Sequence, residues 1–211
     1  MLSIYMEKTS TPSSQNTVVN DYNPQVDENS NITNTPLSSN NTLNEFSGWT
    51  KYRNEEYGIE LYYPPDIFNV KNSGKSVIFY DKKSKEPQGT DFREIPNYFD
   101  IELPNLGGGS GLDYYANAIK QLFSSVPRSP IVILKSDEIS VDGKRAVKLT
   151  FESSTNKTQK GFMVIAELSK VVSYFDAESQ TTYKLKVATF IGITEDSQVA
   201  EKILKSIKFF Q

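Results

Sequence analysis

The chain has no cysteine and no histidine in its 211 residues. Without cysteine, disulfides, thiolate metal sites and thiol nucleophiles are excluded. Without histidine, the commonest general base and the commonest transition-metal ligand are both absent. The sequence therefore predicts no catalytic residues, no cofactor and no metal site.

Two further absences restrict the class of protein. No run of about 18 apolar residues occurs, so no segment of the sequence is predicted to span a bilayer. From Leu43 onward the acidic and basic residues balance at 22 each. Because nucleic-acid-binding proteins usually carry a clustered basic excess, we expect no nucleic-acid partner.

The N-terminal part of the chain is poor in apolar residues. Of the 32 residues from Thr11 to Thr42, 23 are Ser, Thr, Asn, Pro or Gln, and none is Lys or Arg. Such a segment cannot bury enough apolar surface to offset its chain entropy. We predict a disordered stalk or linker over residues 1–47 and one folded domain over residues 48–211.

The first residues, MLSIYM, allow two interpretations. They are either a frayed terminus or the end of a longer anchor or signal segment at or upstream of Met1. Three glycosylation sequons, at Asn31, Asn40 and Asn156, fit an exported protein. On these grounds we expect an extracytoplasmic location, with membrane attachment only through such a segment.

From Trp49 onward, short alternating runs rich in aromatic and β-branched residues predict strands. The predicted strands are WTKYR, IELYY, SVIFY, YFDIEL, IVILKSDEIS, RAVKLTFE, GFMVIAELSKVVSYF and TTYKLKVATFI. Apolar residues at helical spacing predict two amphipathic helices, Leu112–Val126 and Glu195–Ser206. The expected fold class is α+β, an antiparallel β-sheet flanked by helices in an α/β/α sandwich.

Turn chemistry marks two strand ends. Pro64 and Pro65 remove two backbone donors in succession, so the strand IELYY must end at Tyr63. Asp142 and Gly143 in VDGK suit a tight hairpin turn between RAVKLTFE and the strand before it.

The order of these elements resembles the PsbP-like family, named for an extrinsic subunit of the photosystem II oxygen-evolving complex. The resemblance covers Trp49 to Phe209. Its marks are Trp49, Tyr52, Gly58, Tyr63-Pro64, Leu112-Asp113, VDGKRAVKLTF and SIKF. The resemblance implies an antiparallel sheet with flanking helices and an exported protein. Ile67 stands where members often have Trp, and the lack of Cys argues against a lipid anchor.

Three candidate chemical motifs do not meet their requirements. LGGGSGL has neither the third glycine of a dinucleotide fingerprint nor the Gly-Lys of a Walker loop, which favours a hinge into the helix. Ser154 and Lys157 have the spacing of a serine–lysine pair but lie in a loop and lack companion motifs. Asp137 and Glu138 are adjacent in a strand and point to opposite faces.

The most favoured function is a non-enzymatic binding or accessory domain that docks as a monomer on a protein partner. The expected docking surface combines the loop from Asp81 to Asn97 with the turn from Gly107 to Tyr114, which both follow predicted strands. The candidate contact residues are Tyr62, Lys82, Lys83, Arg93 and Tyr114. The alternative is a small hydrolase or ligand-binding enzyme that uses carboxylate, Lys and Tyr groups.

Overall fold

The computed structural model describes residues 45–73, 76–86, 97–103, 111–125, 129, 131–154, 157–176, 180–194 and 197–211. Several predictions fall outside this part of the chain. They are the N-terminal segment up to residue 44, most of the loop from Asp81 to Asn97 with Arg93, the glycines at 107–109 and the three sequons.

The described residues form ten strands and two helices. The strands are β1 (Thr50–Asn54), β2 (Ile59–Tyr63), β3 (Phe68–Ser73), β4 (Ser76–Asp81), β5 (Tyr98–Glu102), β6 (Ile131–Val141), β7 (Lys144–Ser153), β8 (Lys160–Asp176), β9 (Thr181–Ile193) and β10 (Lys208–Phe209). The helices are α1 (Leu112–Ser125) and α2 (Ser197–Lys205). Strands β3 and β10 are absent from the sequence prediction; the rest agree within a few residues.

The strands form two antiparallel sheets rather than one. The larger has seven strands in the order β3-β4-β5-β9-β8-β7-β6, and the smaller has three in the order β1-β2-β10. An antiparallel sheet with two helices is therefore confirmed. The expected single sheet between helices does not describe the whole architecture, because β10 follows α2 and pairs with β2 in the smaller sheet.

Side chains that alternate along the strands belong to two separate hydrophobic clusters. The first cluster includes Phe79, Phe99, Val164 and Phe190, and the second includes Ile78, Tyr98, Ile165 and Ile191. Neighbouring residues of a strand point to opposite faces, so the clusters lie on the two faces of the main sheet. Residues of α2 and of the small sheet belong to the first cluster, and residues of α1 belong to the second.

Both predicted strand ends are confirmed. β2 ends at Tyr63, and the backbone N–H groups of Ile67 and Phe68 donate to the Pro64 carbonyl in the turn that follows. Asp142 and Gly143 have φ values of 47° and 75°, so both central residues of the β6–β7 hairpin are left-handed, as a type I′ turn requires. The Asp142 carboxylate accepts hydrogen bonds from Phe209 N (2.8 Å) and Lys208 Nζ (2.9 Å), which ties this turn to β10.

Gly58, one of the marks of the family resemblance, is required by close packing. Its φ is +66°, and an added Cβ would lie 2.4 Å from the Phe210 carbonyl oxygen. The Phe210 N–H in turn donates to the Gly58 carbonyl at 2.9 Å. Only glycine allows the C-terminal residues to approach the β1–β2 turn this closely.

Candidate functional site

The predicted contact residues lie in three different places. Tyr62 is half-buried on β2, where its ring stacks on Phe46 with centroids 5.1 Å apart. Lys82 and Lys83 are exposed just after β4, and Lys83 N donates to Asp81 Oδ1 at 2.7 Å. Tyr114 is 39% exposed on α1, with its ring edge-on to that of Tyr115. Arg93 lies outside the described residues.

Most of the predicted docking surface, residues 87–96 and 104–110, lies outside the described residues, whereas the strands beside it are described. In the β4–β5 pair Tyr80 lies opposite Tyr98 and Ser76 lies opposite Glu102. Asp81, the last residue of β4, therefore lies beside the start of β5, whereas Glu102, the last residue of β5, lies at the other end of this pair of strands. These ends are about 14 Å apart, since strand residues rise by about 3.4 Å.

Contacts at the start of α1 locate Tyr114 in the fold. The Arg145 guanidinium donates to both Asp113 carboxylate oxygens, at 2.8 and 3.0 Å, and to Glu138 Oε1 at 3.2 Å. Arg145 follows the β6–β7 turn, at the end of the sheet away from Asp81. The two carboxylates raise the pKa of the guanidinium. Tyr114 thus lies near the β6–β7 turn, and Lys82 and Lys83 lie at the opposite end.

An aromatic and cationic cluster surrounds Tyr62 where the described chain begins. Phe46 contacts Trp49 edge-on with centroids 5.5 Å apart, and the Lys202 ammonium lies 4.8 Å from the Trp49 ring centroid and 5.4 Å from that of Phe46. Cation–π attraction at these distances favours the arrangement. The cluster fixes the start of the folded domain against α2 and β2, which is a structural use for Tyr62.

The carboxyl group of Asp100 is buried in the main sheet. Asp100 is 2% exposed; Tyr98 Oη donates to its Oδ2 at 3.0 Å, while its Oδ1 has no partner among the described residues. Burial above all, and then Glu102, raise the pKa of Asp100 to about 8. A general acid near neutral pH has such a pKa. Asp100 is nevertheless covered by protein, so a substrate has no direct access to it.

The other candidate motifs form no reactive arrangement in the described part of the chain. Ser154 and Lys157 are both exposed in the β7–β8 connection and belong to no helix. Among the described residues no cluster of three or more Asp or Glu side chains is placed to hold a metal ion. Within the same residues no helix has both the length and the apolar character needed to cross a membrane.

The edge strand β6 carries exposed apolar side chains. β6 is the last strand of the main sheet on one side, and it is 11 residues long. Val132 and Leu134 are 46% and 51% exposed, and the β6–β7 register shifts between Ile133 and Lys135. The shift makes Leu134 the extra residue of a β-bulge. An open edge with apolar side chains is a template for another strand.

A second exposed apolar pair lies at the far ends of β8 and β9. β7 pairs with β8 only up to Ala166, and β5 pairs with β9 only from Thr189 onward. Residues 168–176 and 180–187 therefore extend past the sheet as a two-stranded ribbon, which we call the β8–β9 ribbon. Val171 and Phe175 on it are 49% and 55% exposed.

Sequence reasoning missed these four exposed residues because their strands contain many apolar side chains. A signal was present in the ribbon, where Val171 and Val172 are adjacent, so only one of them faces the core. Val172 is the buried one, at 3% exposure. For Val132 and Leu134 the bulge interrupts the alternation, and the sequence carries no mark of it.

No protein-family model matches the chain, and no curated protein matches it. Solved structures do resemble it. The solution structure of cyanobacterial PsbP from Synechocystis is 12% identical, with a TM-score of 0.49, and the match covers 83% of this chain and 100% of that one. The first cited structure thus carries the name of the family that the sequence resembles.

Two further structures are more distant. The Saccharomyces cerevisiae Ran-binding protein Mog1p is 9% identical with a TM-score of 0.38, over 76% of this chain and 95% of that chain. A Bacteroides thetaiotaomicron protein is 12% identical with a TM-score of 0.37, over 76% of this chain and 48% of that chain. At these identities and TM-scores, neither likeness indicates a function for the present chain.

Proposed function

We propose that the chain is a non-enzymatic, extracytoplasmic accessory domain that docks on a protein partner and is tethered through its polar N-terminal segment. The docking element is the edge strand β6, which accepts an extended segment of the partner as an additional strand. The observation that carries this proposal is the 11-residue edge strand, whose outer side pairs with no strand of the described residues and beside which Val132 and Leu134 are exposed.

The geometry of the hairpin identifies the backbone groups that face the partner. Val141 lies opposite Lys144 next to the two-residue turn, and such a flanking pair is hydrogen-bonded. Alternation then makes Ile139 and Asp137 bond to β7. The N–H groups of Ser136, Glu138 and Ser140 point away from the sheet. They supply three donors in a row to a partner strand.

The exposed side chains supply the apolar part of the contact. Val132 and Leu134 precede the straight part of β6, so a partner strand that pairs with Ser136 and Ser140 extends over them. Main-chain hydrogen bonds give such an interface affinity, and pockets for alternate side chains give it specificity. An extended polypeptide backbone matches the spacing of a row of strand donors and acceptors, so this edge favours a protein partner.

An enzyme is the weaker candidate. Asp100 has a pKa near that of a general acid, but it lies beneath the second cluster beside Tyr98. The composition offers carboxylate, Lys and Tyr groups for catalysis but no His and no Cys. The proposal for an accessory domain also agrees with the polar N-terminal segment and the balanced charge of the remaining chain.

Substitution by proline tests the edge directly. Ser136→Pro removes one outward N–H and leaves the β6–β7 hydrogen bonds intact, because proline is tolerated where an edge N–H faces away from the sheet. We expect a Tm within a few degrees of wild type and a loss of partner binding of about tenfold or more. Asp137→Pro is the matched control; it removes a bond to β7, and we expect a clear drop in Tm.

Partner binding is measured by site-specific photo-crosslinking of the full chain in its native cells. A photoreactive residue at Ser136 or Ser140 should capture one discrete partner, and the same residue at exposed Thr182 should not. Capture at all three positions alike, or at none, would contradict docking at β6. Addition of external protease to the intact cells tests the location, since an extracytoplasmic domain is accessible to it.

A further inference from the structure

The β8–β9 ribbon presents two different faces. After a register shift between Glu167 and Val172, the strands pair from Val172–Leu185 to Asp176–Thr181. Val172 and Leu185 are buried in the first cluster, with Tyr174 and Tyr183 packed against it. The Lys170 ammonium donates to the Glu55 carbonyl oxygen and ties the ribbon to the β1–β2 turn. The inner face thus holds the ribbon against the domain.

The outer face is apolar and basic. By alternation with the buried Val172 and Leu185, its residues are Val171, Ser173, Phe175, Thr182 and Lys184, and all five are exposed. Lys186, also exposed, follows where β9 passes from Leu185 in the first cluster to Val187 in the second. Phe175 is the most exposed large hydrophobic residue of the described chain, at 55%. Among the described residues neither Lys184 nor Lys186 forms an ion pair, and no acidic side chain lies on this face. Asp176 lies on the inner face, opposite Thr181.

We propose that this outer face binds the surface of an anionic phospholipid bilayer. Val171 and Phe175 enter the headgroup region, and Lys184 and Lys186 contact lipid phosphates. The apolar residues and the lysines lie on adjacent strands of one surface, as interfacial segments require. A basic residue close to an anionic surface strengthens binding about fivefold.

The shape of the ribbon favours a bilayer over a protein as the occupant. Two strands make a face about 10 Å wide, and it projects past the neighbouring strands. The residues that contribute most to protein–protein binding lie near the centre of the interface, where surrounding contacts exclude water. A stable interface with a protein partner covers about 800 Å² on each side. A narrow projecting face with Phe175 half-exposed suits the headgroup layer, because binding there does not require a ring of protein contacts around the inserted side chain. With two lysines as its charges, such a face binds weakly and in a manner that depends on salt.

The test is co-sedimentation of the purified full chain with vesicles. Vesicles of phosphatidylcholine and phosphatidylglycerol in roughly a two-to-one ratio should bind the chain, whereas pure phosphatidylcholine should bind it much less. Replacement of both ribbon lysines, Lys184→Gln with Lys186→Gln, should lower the apparent affinity about 25-fold. Phe175→Ser should lower it about tenfold.

Matched controls separate a specific face from general charge attraction. Lys82→Gln with Lys83→Gln removes two exposed lysines elsewhere, and Leu134→Ser removes an equally exposed apolar residue. Both controls should bind as wild type does, and all variants should keep the Tm of wild type. No sedimentation of wild type, or equal losses in both lysine pairs, would overturn the proposal. Because the vesicles contain no protein, this result is independent of docking at β6.

Discussion

Asp100 and its surroundings show how one side chain affects the whole domain. Its ordinary pKa of 3.8 rises to about 8 in the folded protein, chiefly through burial and then through Glu102. Tyr98 Oη donates to it and partly opposes the rise. On the neighbouring strands, Ile78 and Ile191 lie opposite Asp100 in the sheet, and neither supplies a compensating charge.

The raised pKa predicts a stability that falls with pH. Between about pH 4 and pH 8 the unfolded chain has an ionised Asp100, while the folded chain keeps the proton. This contribution to stability is therefore complete below pH 4 and is lost progressively as the pH rises to about 8. Asp100→Asn removes the ionisation and should flatten the pH dependence of Tm.

The measurement is thermal unfolding of both proteins at several pH values. At pH 8 we expect Asp100→Asn to unfold about 5 °C or more above wild type, and near pH 4 the two should converge. Asp66→Asn changes an exposed carboxylate and serves as the control. Parallel Tm curves for wild type and Asp100→Asn would show that Asp100 ionises normally in the folded state.

Among the elements, the two helices each cover part of a hydrophobic cluster. Ile119 of α1 is 6% exposed in the second cluster, and Ile203 of α2 is fully buried in the first. Ile119→Asp or Ile203→Asp would bury a charge that has no partner. We expect each variant to lose about 3 kcal/mol or more of its unfolding free energy.

Denaturant unfolding compares each variant with a control on the same helix. Asn117→Asp on α1 and Gln198→Asp on α2 change exposed positions and should stay within about 0.5 kcal/mol of wild type. A wild-type unfolding midpoint for either buried variant would mean that its helix does not pack on the sheet.

At the scale of the whole molecule, the boundary between the N-terminal segment and the domain can be tested. The sequence predicts it at residue 47. Phe46 packs on Tyr62, Trp49 and Lys202, so we expect the protected core to begin near residue 45 instead. Between Lys8 and Lys51 the sequence has no Lys or Arg, so trypsin cannot reveal the boundary.

A protease of broad specificity, with mass spectrometry of the fragments, is the suitable measurement. Cleavage should remove the polar segment early and leave a core that extends to Gln211. A stable core that begins before residue 30 would contradict the boundary. If this core keeps the Tm of the full chain, the N-terminal segment contributes nothing to the stability of the domain.

Local patterns were sufficient for most of the elements. Alternation predicted eight of the ten strands, helical spacing predicted both helices, and Pro64 and Asp142-Gly143 marked two strand ends. β10 was missed because two residues are too short for a periodic signal. β3 was missed because its alternating apolar residues are only Phe68 and Val70, after which residues 71–73 are polar. These local features follow from backbone geometry and from the side chains that each element must bury.

Only the tertiary structure decided which strands are neighbours and which apolar residues stay exposed. A period of two indicates that one face of a strand is buried, but it identifies neither the partner strand nor the sheet. The separation of β1, β2 and β10 into a second sheet, the burial of Asp100 and the exposure of Val132, Leu134, Val171 and Phe175 all depend on contacts distant in sequence. The sequence by itself therefore determined most of the elements and their order, whereas long-range packing decided the surfaces on which both proposals depend.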